Sequence, residues 1–195
     1  MINVEITRLP IIILGTARTG SSVLANHLAL KYPKLKVWSE PDLDPETLSN
    51  FIEYAKSKDD YIIKILVGSL QQYPIWFIRL KLLSKTCHLI KIKRSSLIEQ
   101  LASYYIALDR DIWHYYIPEF NKWKDSITPI NIDKEIIKYI INVIKTDIEK
   151  LEPFLCDETI FYEDIKDQTL ALDIKTPKPI NYIDLLKTIE DLLIR

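Results

Sequence analysis

Apolar residues along this chain come in short runs with amphipathic stretches between them. "IIIL" at Ile11–Leu14, "YIIKIL" at Tyr61–Leu66 and "CHLIKIK" at Cys87–Lys93 are isoleucine-rich and too short for helices. Strands buried on both faces read this way, as in a parallel sheet covered by helices. Strands are expected at Ile11–Gly15, Leu35–Trp38, Tyr61–Leu66, Cys87–Lys93 and Thr159–Tyr162.

The stretches between them carry helix starts. "DPETLSNFIEYAK" offers Asp44 as N-cap, Pro45 behind it and Glu46 in the first turn. "SSLIEQLASYYIAL" sets Ser96 and Glu99 at capping-box spacing, so the chain should turn directly from the fourth strand into a helix. The longest helical pattern, "NIDKEIIKYIINVIKTDIEKLEPFL", puts Ile136, Ile137, Ile140, Ile141 and Ile144 on one stripe and should end before Pro153. A short amphipathic helix starting at Asn181 closes the chain. The fold class expected is α/β: three layers, with a mainly parallel sheet of about five strands flanked by helices.

Composition narrows this picture. At 195 residues and 48% hydrophobic, the chain can bury one sizeable core, and a single domain over residues 1–195 is expected. A net charge of -1 exerts no general pull on nucleic acid or membrane, so any anion must be held by a local cluster of basic groups. Neither nucleic acid nor membrane is expected as a partner. Cys87 and Cys156 lie far apart without metal-ligand spacing and read as two buried thiols, which suits a cytoplasmic protein. The first apolar run is too short for a leader or a membrane span.

Two of the three glycines, Gly15 and Gly20, fall in the eight residues "GTARTGSS" between the first strand and the following helix. A strand that ends in glycine, turns through small residues and opens a helix presents free backbone N–H groups at the positive end of a helix dipole. Ser21 and Ser22 add hydroxyls. The GxxxxG spacing matches a nucleotide-binding P-loop, but Ser21 stands where such a loop carries lysine, and the cation lies inside the loop at Arg18.

Three stretches in order resemble one family. "GTARTGSS" resembles the 5'-phosphosulfate loop of sulfotransferases that use 3'-phosphoadenosine 5'-phosphosulfate (PAPS). "IKIKRSSLIEQLASYY" resembles the strand end and helix that hold the cofactor's 3'-phosphate, with Arg94 and Ser103 as the matching pair. "IFYEDIKD" resembles the late strand and turn where Tyr162 would contact the adenine. The resemblance implies a P-loop-type sulfotransferase fold and transfer of a sulfuryl group from PAPS, without metal, leaving 3',5'-ADP. The acceptor is a hydroxyl or amine of a small molecule or glycan. It assigns cofactor contacts to Ala17, Arg18, Thr19, Gly20, Ser21, Ser22, Arg94, Ser103 and Tyr162. Two departures stand out. Arg94 and Ser103 are nine residues apart where animal cytosolic members usually show eight, which brings Ser95 and Ser96 into consideration. The basic glycine loop that completes the 3'-phosphate site in larger members is absent, and Lys175 and Lys178 are either its substitutes or a solvated connector.

Arg18 is the group expected to stabilise charge on the leaving phosphate. Glu40, just past the second strand, has two readings: the catalytic base, as a glutamate there is in some members of the family, or a loop carboxylate capping the turn before Pro41. His114, among Trp113, Tyr115 and Tyr116, either lines the acceptor pocket or belongs to a packed lid. Lys64 is a charge inside a central strand and a candidate substrate contact. His27 reads as packed or solvent-facing rather than catalytic, and a core or edge position explains His88. Lys91 and Lys93 should share one face, away from Ile92, where at least one meets an anion or carboxylate; taken singly, each reads as a solvated strand end. Two other classes of function compete with sulfotransfer: a P-loop nucleotide kinase or NTPase, and a non-catalytic module that binds adenosine phosphates.

Overall fold

The structure is a computed structural model that describes residues 5–39, 61–68, 80, 85–111, 128–166 and 178–194. Five strands, β1 (Ile11–Gly15), β2 (Lys36–Ser39), β3 (Tyr61–Leu66), β4 (His88–Lys93) and β5 (Glu158–Phe161), make one sheet in the order β2-β3-β1-β4-β5. All four pairings are parallel. Each expected strand is found, with its ends displaced by one residue at most. Among the described residues the helices are α1 (Ser21–Lys31), α2 (Leu97–Asp109), α3 (Lys134–Leu151), the short α4 (Tyr162–Ile165) and α5 (Tyr182–Ile194).

Alternation along the strands sorts the isoleucines into two cores. Ile11 and Ile13 of β1 point to the α1 face, where they meet Leu24 and Leu28 together with Ile62, Ile90 and Ile92. Ile12 and Leu14 point the other way, onto Ile63, Ile65 and Leu89, with Leu151 at the end of α3 and Phe154 beyond it. Being covered on both sides leaves β1 wholly buried. Each of its large side chains contributes roughly 1.5–3 kcal/mol by leaving water. That burial gives the loop after β1 a rigid base.

Contacts divide the chain into two compact units, residues 1–95 with 146–169 and residues 96–145 with 170–195. The sheet, α1 and α4 lie in the first. In the second, α2 packs on α5. There the Ser96 hydroxyl accepts from the Glu99 N–H at 3.2 Å, the N-cap expected from the sequence. Asp133 caps α3 by accepting from the Glu135 and Ile136 N–H groups.

One helical detail differs from the sequence reading and another adds to it. Ile136 is 39% exposed, so the buried stripe of α3 is Ile137, Ile140, Ile141 and Ile144. Asn181 precedes α5, but its amide pairs with the backbone of Ile130, accepting from the N–H at 3.0 Å and donating to the carbonyl at 2.9 Å. Asn181 therefore ties a distant segment to the helix start. The helix expected from Asp44 and the aromatic segment around Trp113 lie outside the described residues. Among the described residues, no helix is long and apolar enough to cross a membrane.

Candidate anion site at the carboxyl edge of the sheet

In the strand order, the chain leaves β1 toward β2 on one side and leaves β4 toward β5 on the other. Adjacent strands whose connections part in this way open a crevice at their carboxyl ends, where α/β proteins hold ligands. The "GTARTGSS" loop emerges at this point, and Arg94 follows the last residue of β4.

The loop's shape explains its glycines. Gly15 belongs to β1, and a Cβ there would stand 2.7 Å from the Thr19 hydroxyl oxygen and 2.8 Å from the Ile92 side chain. The loop thus folds tightly over the strand end, pinned by the Thr19 hydroxyl, which donates to the Thr16 carbonyl at 2.8 Å. Gly20 has a φ of 84°, and a Cβ there would stand 2.3 Å from the Tyr162 ring. It needs both the left-handed backbone and the missing side chain. Arg18 takes a φ of 63°, unusual for a residue with a side chain.

Gly20 is the N-cap of α1, so no cap side chain engages the first-turn N–H groups, and no acidic residue stands in that turn. These amides stand where the sequence reading expects an anion to bind. The hydroxyls differ among themselves. Thr19 is buried and its hydroxyl is engaged within the loop; Ser21 is buried at 5% exposure; Ser22 is exposed.

Two cations from other strands reach the loop. Lys64, in the middle of β3 and 2% exposed, shares the α1 face and donates from Nζ to the Ser22 Oγ at 3.0 Å. An ammonium buried this deeply is costly without partners, so its place under the first turn of α1 is specific. Arg94 donates from Nη1 to the Arg18 carbonyl at 3.4 Å, and its guanidinium carbon lies 4.9 Å from the centre of the Tyr162 ring. The ring therefore touches both the loop, at Gly20, and the guanidinium.

Glu163 also enters the site, a residue the sequence reading missed. Its Oε1 stands 3.9 Å from Arg94 Nε, and its Oε2 accepts from the Ser95 N–H and the Ser95 hydroxyl at 3.0 Å each. Burial by itself would raise the Glu163 carboxyl, but the bonds from Ser95 and the charge of Arg94 outweigh it and hold the group below the usual carboxylate range. The signal for Glu163 was present in sequence as an acid beside Tyr162. What sequence hid was its partner, 68 positions away.

The structure brings Ala17, Arg18, Thr19, Gly20, Ser21, Ser22, Lys64, Arg94 and Tyr162 into the first unit. Ser103 lies on α2 in the second unit, half-buried. Lys178 is also in the second unit, its ammonium 4.5 Å from the Tyr182 ring centre. Glu40, His114 and Lys175 lie outside the described residues; β2 ends at Ser39, one position before Glu40. Lys91 and Lys93 do share a face, as expected, but neither is a simple solvated strand end. Lys91 is buried and donates to the Glu152 carbonyl at 3.0 Å, and Lys93 donates to the Glu152 carboxylate at 2.6 Å.

The other titratable groups read as packed. His27 is buried in α1, and burial followed by the charge of Lys31 pushes its pKa below the ordinary value. His88 is buried between the Thr7 hydroxyl, 3.2 Å from Nδ1, and Glu158, 3.4 Å from Nε2. Both cysteines are free, and burial pushes the Cys156 thiol up to about 11, away from thiolate chemistry. Compared with family models, curated proteins and solved structures, the chain matches none.

Proposed function

We propose that this protein is a sulfotransferase that takes its sulfuryl group from PAPS, on a P-loop-type fold. The observation that carries the reading is the contact between Arg94 and the Arg18 carbonyl, which joins the cation after β4 to the loop after β1 in one anion site. The donor set suits the cofactor: three cations, first-turn amides and the Ser22 hydroxyl for phosphate and sulfate oxygens, with an aromatic ring beside them. When bound, PAPS supplies an activated sulfuryl group and leaves as adenosine 3',5'-bisphosphate.

In this reading the loop amides and Arg18 bind the 5' end and stabilise charge as it develops on the leaving phosphate, since a guanidinium stays charged at any working pH. Lys64 holds Ser22 in place and adds positive potential from below. Arg94 binds the 3'-phosphate, and Tyr162 lies beside the adenine. Glu40 is the proposed base that takes the acceptor's proton, and His114 is a proposed substrate contact. The acceptor is a hydroxyl or amine of a small molecule or glycan, and the protein works in the cytoplasm.

One observation favours a second reading. Lys64 brings an ammonium to the first turn of α1, close to where a nucleotide P-loop sets its lysine, and could serve the terminal phosphates of ATP. Two ligands and one reaction separate the readings. Adenosine 3',5'-bisphosphate should raise the melting temperature, adding about 2.7 kcal/mol at a hundred times its dissociation constant, and labelled sulfate should pass from PAPS to an acceptor in a mixed panel. Stabilisation by Mg-ATP alone would replace the sulfotransferase with a kinase or NTPase. Bisphosphate binding without transfer across the panel would leave a binding module.

A further inference from the structure

We propose that Glu163 is a positioning residue of the anion site: through Ser95 and Arg94, it aims the Arg94 guanidinium at the loop. The inference deepens the function proposed above and rests on it for the identity of the ligand. Its geometric basis is separate. One oxygen of Glu163 accepts two hydrogen bonds from Ser95, the residue that follows Arg94, and so fixes the backbone where β4 ends. The other oxygen faces Arg94 Nε at 3.9 Å. Tyr162, the preceding residue, lays its ring against the guanidinium at 4.9 Å and against Gly20. Arg94 Nη1 then reaches the Arg18 carbonyl.

The guanidinium is thus oriented from three sides: a carboxylate on its Nε edge, a ring on its face and the loop carbonyl at Nη1. An arginine ordered before the ligand arrives loses less freedom on binding than one that must be captured from solvent. Removing a partner that orients a binding group commonly costs tenfold or more in affinity, as outer partners of metal ligands show.

The proposal makes a prediction whose sign is unusual. Glu163 carries a negative charge beside a site for anions, so simple electrostatics says that removing it tightens anion binding. Positioning says the opposite. Titration calorimetry with adenosine 3',5'-bisphosphate should show affinity lowered about tenfold in Glu163→Ala and by less in Glu163→Gln, whose amide oxygen can still accept from Ser95. In an Arg94→Ala background, Glu163→Ala should cause no further loss, because its effect runs through that guanidinium. A merely structural role would lower the melting temperature and leave the two substitutions additive. Affinity unchanged or tightened in Glu163→Ala would overturn the proposal.

A ligand-free measurement keeps this outcome apart from failure of the functional reading. The Arg94 Nε–H resonance, identified by its disappearance in Arg94→Ala, should report an ordered side chain in the full chain and a mobile one in both Glu163 variants. If wild-type protein ignores the bisphosphate while this change occurs, sulfotransfer is wrong and the positioning role stands. If Arg94 is equally ordered without the Glu163 carboxylate, the positioning role falls whatever the protein binds.

Discussion

Lys91, Lys93 and Arg94 lie within four residues at the end of one strand, yet the fold sends them to two different corners. The lysines fall on the face of β4 opposite α1 and end on Glu152, one on its carbonyl and one on its carboxylate. Arg94, one residue beyond the strand, turns to the loop, where a carboxylate, a ring and a carbonyl surround it. Both corners hold a carboxylate. In the first the carboxylate belongs to the chain just past α3 and holds two lysines; in the second it stands at the Nε edge of an arginine that reaches the loop. Local composition cannot distinguish a structural cation from a binding one, whereas strand alternation and the nearest backbone donors can.

The largest effect that would sharpen this contrast comes from the loop side. Arg18→Ala should cut the turnover of sulfate transfer by about 10²–10³, the usual range for losing a donor that stabilises developing charge, with bisphosphate affinity changed far less. Next is Gly20→Ala, which meets two obstacles: a left-handed backbone, costing about 1–2 kcal/mol, and a Cβ pressed into the Tyr162 ring, costing about 1–3 kcal/mol by overpacking. A melting temperature lower by roughly 10 °C is expected, and a thermal scan checks it. Unchanged melting would mean that the ring does not press on Gly20 as described.

Arg94→Ala should weaken bisphosphate binding about thirtyfold, roughly 2 kcal/mol, in line with a charge-assisted contact. It should leave melting nearly unchanged. If Lys93→Ala weakened binding as much, the division between the two corners would collapse.

Much of this arrangement was legible before any coordinates. Short isoleucine runs gave the strands to within a residue, because a strand buried on both faces leaves an unbroken apolar signature. Ser96 reads as an N-cap from sequence because capping is local, its partner being three residues on. The shared face of Lys91 and Lys93 followed from the period of a strand. What stayed hidden depends on distant pairing. Nothing near Lys93 announces Glu152, 59 positions later, and Asn181 looked like an ordinary helix start until Ile130 appeared opposite it. The ring that a Cβ at Gly20 would meet is also invisible locally, since Tyr162 comes from the end of the last strand.

Lys93→Ala should produce the smallest change, and its pH dependence identifies the corner. Chiefly through its bond from Lys93, Glu152 titrates below the usual carboxylate range, against an opposing effect of burial. A carboxyl whose folded pKa lies below its unfolded one stabilises the fold fully above the ordinary range and loses that contribution as pH falls through the lowered value. Glu152 is half exposed, so the pair contributes at most about 0–1 kcal/mol after solvent screening. Lys93→Ala should therefore lower stability at neutral pH by no more than this. The difference from wild type should shrink as the pH drops below the carboxylate range, because protonated Glu152 no longer rewards the lysine. Denaturant melts at neutral and acid pH measure it. A difference that grew toward acid would mean that the Lys93 ammonium stabilises the fold through something other than this carboxylate.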